Sequence, residues 1–510
     1  MFSPGLLVGN PPPRWGAPGD DLVGCSNAVG KRGLASTSRV HRLSREHQMS
    51  IATSVPHTAT PERRRTWLRS VPSPGQVVAE PGRVPAVVAA PHVPTCHGTL
   101  VEYANFDHGA STPALASVVA AVDKATATYS SVHRGQGWAS QVSSHYYEAA
   151  REEVARFVGA REGDEVVFTR NTTDAFTLLA RAVPRRTRVI VFATEHHATL
   201  LPWEPRNTTR LPVPLTHADA EILLADALAR TRGSRTLVVL NGASNVTGEY
   251  WPVERLSAIA RSHGARVALD AAQLVGHRRV DLDTLGVDYV AFSGHKIYAP
   301  YGAGALVGRA DWLDAAAPYL AGGGATAAVG ALSTTWRTGP ARHEGGTPNV
   351  LGAVALAAAC AAIRENRVAL ETHEAELTQR LVDGLRAVDG VETWSIFGDG
   401  ADRAPVVTFT IDGLDSSLVS AALSAEHGIG VRDGKFCAHL LVDSLLADED
   451  VDTAVRVSAG LATTDEHVER LLAAVASLAA QGPSVAYDHV EGSGWVPVDD
   501  RRGTPTDLPW

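Results

Sequence analysis

Lysine is nearly missing from this 510-residue chain. Lys31, Lys124, Lys296 and Lys435 are the whole supply among 46 basic residues. Arginine carries the ordinary surface charge, and it cannot do what an amine does: shed its proton and form an imine. Cysteine is scarce as well. Cys25, Cys96, Cys360 and Cys437 stand far apart without C-x-x-C spacing. That excludes a disulfide framework and a clustered zinc site, and it suits a reducing cytoplasm. No run of about twenty apolar residues occurs, so no membrane-spanning helix is expected. Gly5-Leu6-Leu7-Val8 is too short for a signal-peptide core. A net charge of −9 offers no basic surface for nucleic acid. Methionine occurs only at positions 1 and 49, and Met49 reads as an alternative start that would leave residues 1–48 untranslated.

What is present divides into four stretches. Residues 1–100 are rich in Pro, Gly, Ser and Arg and show no sustained period, so a disordered or loosely attached extension is expected, with Arg63-Arg64-Arg65 as a solvated run. From residue 101 short apolar strands alternate with helical stretches. Glu165–Thr169, Arg188–Ala193, Thr236–Leu240, Arg266–Leu269 and Tyr289–Phe292 read as strands. Thr173–Val183, capped by Thr172 or Thr173, and Val253–His263, ended by Gly264, read as helices. This alternation predicts an α/β fold with a mostly parallel, doubly wound sheet over 101–350. Residues 351–480 read as a smaller α+β domain: helix Leu351–Glu365, strand Pro405–Ile411, helix Ser416–His427, a strand ending near Val455–Ala459, and helix Asp465–Ala480. Residues 481–510 read as a surface tail.

Sheets of this kind bind ligands at the carboxyl ends of their strands. Lys296 falls at such an end, in Ser293-Gly294-His295-Lys296, and Asp270 closes the strand before it. An aldehyde cofactor such as pyridoxal 5′-phosphate requires that pair: an amine for the imine and a carboxylate facing the ring nitrogen. Thr172 and Thr173 open a helix, where free amides and hydroxyls suit a phosphate, although a plain cap explains them equally well. Glu195-His196-His197 has no third metal ligand nearby, so a ring stacked on a planar cofactor is the better idea, and no metal is expected. Asn245 and Gln273 also sit beyond strand ends.

These motifs resemble the class V aminotransferase family of fold-type I pyridoxal phosphate enzymes over residues 103–480. In order they are Asn105-Phe106-Asp107-His108-Gly109-Ala110, Val132-His133-Arg134-Gly135, Thr169-Arg170-Asn171-Thr172-Thr173, Glu195-His196-His197 with Leu201-Pro202-Trp203, Ser244-Asn245-Val246-Thr247-Gly248, Asp270-Ala271-Ala272-Gln273, Ser293-Gly294-His295-Lys296 and Glu344-Gly345-Gly346-Thr347-Pro348-Asn349. Val431-Arg432-Asp433-Gly434-Lys435-Phe436-Cys437-Ala438, followed by Val455-Arg456-Val457-Ser458, is similar to group II cysteine desulfurases and selenocysteine lyases.

The resemblance implies a role for each residue. Lys296 holds the cofactor as an imine and shuttles protons. Asp270 pairs with the ring nitrogen, and His196 stacks on the ring. Gln273 and Asn245 face the phenolic oxygen. Thr172, Thr173, Ser293 and His295 bind the phosphate, joined by Thr347 from a second subunit of a homodimer. Arg456, with Arg432 and Asn245, receives the amino acid substrate. Cys437 takes the sulfur as a persulfide and leaves alanine, and a sulfur-acceptor protein is a candidate partner.

Two departures stand beside it. Lys435-Phe436 occupy the place of histidines, and His439-Leu440-Leu441 follow the cysteine where a proline would soon stand. Lys435 is expected to lower the Cys437 thiol pKa, and His439 to serve as its proton partner. The alternative is an aminotransferase, epimerase or carbon–sulfur lyase acting on another amino acid, with Cys437 merely a buried small residue. A third reading, a catalytically silent scaffold, gives no chemical reason to keep Lys296, Asp270, His196 and Arg456 together.

Overall fold

The computed structural model describes residues 84–231, 233–503 and 508. Cys25, Met49, the Arg63–Arg65 run and the expectation for residues 1–48 lie outside them. Seven strands form the main sheet: β1 (Asp164–Thr169), β2 (Arg188–Phe192), β3 (Thr208–Leu211), β4 (Thr236–Asn241), β5 (Arg266–Asp270), β6 (Tyr289–Ser293) and β7 (Gly304–Arg309), in the spatial order β1-β7-β6-β5-β4-β2-β3. From β6 to β3 every pairing is parallel. β7 runs antiparallel to both β1 and β6. The central strands β4 and β6 are buried at every position, which explains their unbroken apolar runs, since helices cover both faces. Leu356 and Cys360 of helix Val350–Glu365 pack into the core of one face, and Phe176 of helix Thr172–Ala182 into the core of the other.

A separate antiparallel sheet of four strands, β8 (Val391–Trp394), β9 (Val406–Ile411), β10 (Arg432–Gly434) and β11 (Ala454–Ser458), runs in the order β8-β9-β11-β10. Leu381, Phe409, Val457 and Leu471 belong to its core.

Several expectations change. Helix Val350–Glu365 packs on the large sheet, so that body runs past residue 350. Ala104 and Phe106 pack instead with the small-sheet core. Residues 84–100 of the expected loose extension belong to the described fold. Strand His92–Pro94 pairs antiparallel with Leu100–Glu102, and Cys96 between them is buried. A hairpin this short, turned at Gly98 with φ +85°, carries no period to read in the sequence. The expected tail also holds a hairpin, Tyr487–Val490 with Gly494–Pro497. It is fastened by the buried Glu426 carboxylate, which accepts from Ser484 N at 3.0 Å and Tyr487 Oη at 3.0 Å. Among the described residues, no helix is long and apolar enough to cross a membrane.

Candidate active site

The large sheet supplies one wall. β1 ends at Thr169, and the next helix is capped by Asn171, whose side chain accepts from Asp174 N; the cap expected at Thr172 or Thr173 moves back by one residue or two. Gly304 permits this turn to lie close, because a Cβ there would stand 2.9 Å from Asn171 Cα. Thr172 N donates to Ser293 Oγ at 2.8 Å, and the two hydroxyls lie 2.7 Å apart. β6 runs out through Ser293 into one 3-10 turn, Gly294–Lys296. The His295 carbonyl accepts from Thr112 N at 2.8 Å and Thr112 Oγ1 at 3.0 Å, which fixes the turn. The Lys296 side chain reaches the cavity enclosed by protein, and that burial pushes its amine down to about 8, with Asp270 pulling the other way. Asp270, the last residue of β5, accepts from Ala272 N at 2.9 Å; burial raises its carboxyl, opposed by that bond and by Lys296.

His196 caps the short helix His197–Leu200, with Nδ1 accepting from Ala198 N at 3.0 Å. Burial, assisted by the charge of Lys296, lowers it to about 3, so the ring is neutral. Gln273 Nε2 donates to the Gly109 carbonyl at 2.6 Å, so one of its two N–H groups is already engaged. Glu195 was given no role in the sequence reading. It is fully buried, accepts from Asn241 N at 3.0 Å and Thr199 Oγ1 at 3.1 Å, and is raised well above the usual carboxylate range by burial and by Asp270. It ties the turn carrying His196 to the residue paired with Asp270 in the sheet.

The small sheet supplies the facing wall. Arg456 on β11 lies opposite Arg432 on β10. Arg456 Nη1 donates to the Asn245 carbonyl at 2.8 Å, and Nη2 donates to Asp107 Oδ1 at 2.7 Å. Asp107 is the second residue that sequence reasoning left without a role, although it stands inside the first quoted motif. After β10 the chain turns through Phe436 (φ 51°) and Cys437 (φ 56°), both in the left-handed region. Asn245 Nδ2 holds the Phe436 carbonyl at 2.8 Å, and His197 N holds the Cys437 carbonyl at 2.9 Å. Cys437 is exposed, not a buried filler, whereas Cys360 is fully buried. The expectation for Lys435 fails on geometry: its amine pairs with Asp443 at 2.7 Å and sits 3.8 Å from Asp452. Those two carboxylates claim the charge that was to act on the thiol. The His439 ring lies edge-on to His197 with centroids 4.7 Å apart.

One cavity of about 210 Å³ is lined by Lys296, Asp270, His196, Gln273, Asn245, Thr172, Thr173, Ser293, His295, Arg432, Arg456 and Cys437. Thr347 is the expected residue that stays outside it. It is exposed, in a loop held by Glu344, whose carboxylate meets Arg151 and accepts from Tyr147 Oη at 2.9 Å. Among the described residues no group of three His, Cys, Asp or Glu side chains could hold a metal ion.

Comparison with known proteins places this arrangement. The family model described as aminotransferase class-V matches residues 104–471. A probable cysteine desulfurase of Vibrio cholerae is 34% identical over 354 residues, 68% of this chain and 85% of that protein. A cysteine desulfurase of Klebsiella pneumoniae is 35% identical over 356 residues, with 68% and 85% covered. The solved apo structure of a cysteine desulfurase from Thermococcus onnurineus is similar with a TM-score of 0.66 at 32% identity, covering 74% of this chain and 95% of that one.

Proposed function

The chain belongs to the class V aminotransferase family, and on that premise we propose that it is a pyridoxal 5′-phosphate-dependent desulfurase. It removes sulfur from L-cysteine, or selenium from selenocysteine, to give alanine and a persulfide (or its selenium counterpart) on Cys437. The observation that carries the reading is one cavity shared by a half-buried lysine, a buried carboxylate, a buried guanidinium and an exposed thiol. The relatives named cysteine desulfurases support it.

The residues fit the cofactor. Asn245 Oδ1 is a buried acceptor with no partner among the described residues, and the carboxylate, the neutral imidazole and a helix N-terminus all line the same space. Lys296 would hold the aldehyde carbon and Asp270 the ring nitrogen. His196 would lie on the ring face, with Gln273 and Asn245 toward the phenolic oxygen. Thr172, Thr173, Ser293 and His295 would surround the phosphate, completed in a homodimer by Thr347 of the partner subunit. When bound, pyridoxal phosphate supplies an electron sink for negative charge developing on the substrate carbons.

The chain's own groups do the rest. Arg456 grips the substrate carboxylate, flanked by Arg432. An amine near 8 at Lys296 can take a proton from the substrate α-carbon and return one. Cys437 attacks the substrate sulfur as a thiolate, the new S–S bond forming as the carbon–sulfur bond breaks. The pinned carbonyls of Phe436 and Cys437 hold this exposed residue against the cavity, where a sulfur-acceptor protein can reach the thiol. Cys96, Cys360 and Cys437, unpaired among the described residues, favour a cytoplasmic setting.

Product analysis tests this. The purified holoenzyme with L-cysteine should yield alanine, plus sulfide under reductant, and Cys437→Ser should stop both. Pyruvate with ammonia would replace the reading with a lyase, and dependence on a keto acid would replace it with transamination.

A further inference from the structure

Within the chain, Arg456 already has company. Asn245 O and Asp107 Oδ1 take Nη1 and Nη2, at 2.8 and 2.7 Å. The side chain is 4% exposed and that of Asp107 23%. Nε is buried with no partner among the described residues. The Phe436 ring lies 5.4 Å from Cζ. Gly109 backs the group closely: a Cβ there would stand 3.2 Å from both Cζ and Nη2. The Asp107–Gly109 segment is therefore shaped around this guanidinium. Nε and Nη2 form the edge that matches a carboxylate in a two-bond fork. On that edge one nitrogen is shared with Asp107, and the other is a buried donor still lacking an acceptor.

We propose that Asp107 is a positioning residue for substrate recognition: it locks Arg456 so that the Nε–Nη2 edge meets the α-carboxylate of the amino acid, and its own charge moderates the pull of that edge. This rests on the desulfurase reading only in taking an amino acid as substrate. The two effects oppose each other and can be separated. Asp107→Ala removes both the lock and the charge. The guanidinium must then be ordered by the substrate itself, at a cost to binding. Asp107→Asn keeps an acceptor oxygen for Nη2 and removes only the charge, so an anionic ligand meets an aligned and less compensated cation.

The test titrates each holoenzyme with L-alanine and with alaninamide, which lacks the carboxylate, following the absorbance of the bound cofactor. KM and kcat for L-cysteine are measured alongside. Asp107→Ala should raise the L-alanine Kd and the L-cysteine KM about tenfold, the loss of one charge-assisted hydrogen bond's worth of alignment, with kcat within about threefold. Alaninamide affinity should not change. Asp107→Asn should bind L-alanine at least as tightly as the parent. An unchanged L-alanine Kd in Asp107→Ala, or equal weakening for alaninamide, would overturn the proposal. So would weakened L-alanine binding in Asp107→Asn, which decides the matter alone if the alanine variant does not fold. A parent enzyme that makes no alanine from L-cysteine would defeat the desulfurase reading, while the alanine–alaninamide comparison would still judge Asp107.

Discussion

On the wall made by the large sheet, the working side chains stand at the ends of strands buried on both faces, and their positions follow from the core: Asp270 closes β5, Ser293 closes β6, and Lys296 rides on a single turn beyond it. On the wall made by the small sheet, Arg456 sits in a strand, but Phe436 and Cys437 hang on a turn held by two hydrogen bonds from the opposite wall. The wall that the proposed function gives to the cofactor is therefore specified by packing, and the wall it gives to the substrate by a few cross-links. Asn245 is the chief link, since its carbonyl holds Arg456 and its amide holds Phe436.

Breaking the cofactor wall should cost the most. On the proposed function, Lys296→Ala should lower turnover of L-cysteine by about a thousandfold or more, since that reading makes one residue both anchor and proton carrier. Borohydride reduction of the parent should place the pyridoxyl label on Lys296; a label on Lys124 or Lys435 would contradict the assignment. Asn245→Ala should lower kcat/KM by about tenfold, roughly one buried hydrogen-bonding group's worth. A collapse of cofactor affinity alone would show that the two walls are not separable there. Thr347→Ala should weaken cofactor binding by about tenfold in a dimer that shares its phosphate loop, by loss of one hydrogen bond to a charged group. A fully active monomer by light scattering would defeat that sharing.

A smaller effect lies in pH. Lys296 is near 8 in the folded chain, below its ordinary value of about 10.4, so between those values the unfolded chain binds more protons. Stability of the apoprotein should therefore rise with pH from about 8 to about 10, the penalty being complete below 8. Lys296→Ala should flatten that rise in denaturant titrations. The smallest effect belongs to Lys435→Ala, which should leave kcat/KM within about twofold, because a solvent-accessible ion pair contributes little and this amine is already paired with Asp443.

Much of this was legible in advance for physical reasons. Strands buried on both faces leave unbroken apolar runs, and five of the seven main strands lie within one residue of their expected ends. β3 was missed because Thr208-Thr209-Arg210-Leu211 is an edge strand with little apolar content. β7 begins at Gly304 and contains Gly308, so its run looks broken. Helix Arg367–Arg386 hid because a single residue, Asn366, separates it from its neighbour. In the site, polar residues at strand ends were found where a motif named them. Asp107 and Glu195 were not, because their contacts cross between segments distant in sequence. Lys435 misled because adjacency along the chain says nothing of direction; the neighbouring acids do.

The left-handed backbone at Cys437 carries a consequence for heredity. A residue with a Cβ held there is strained by about 1–2 kcal/mol relative to glycine, and Phe436 beside it stands in the same region. Random mutation filtered by fold stability alone would drift toward glycine at Cys437, and a lineage that no longer needed the thiol would find that path downhill. On the desulfurase reading, use of the thiol is what retains a side chain at a place where the backbone would favour glycine.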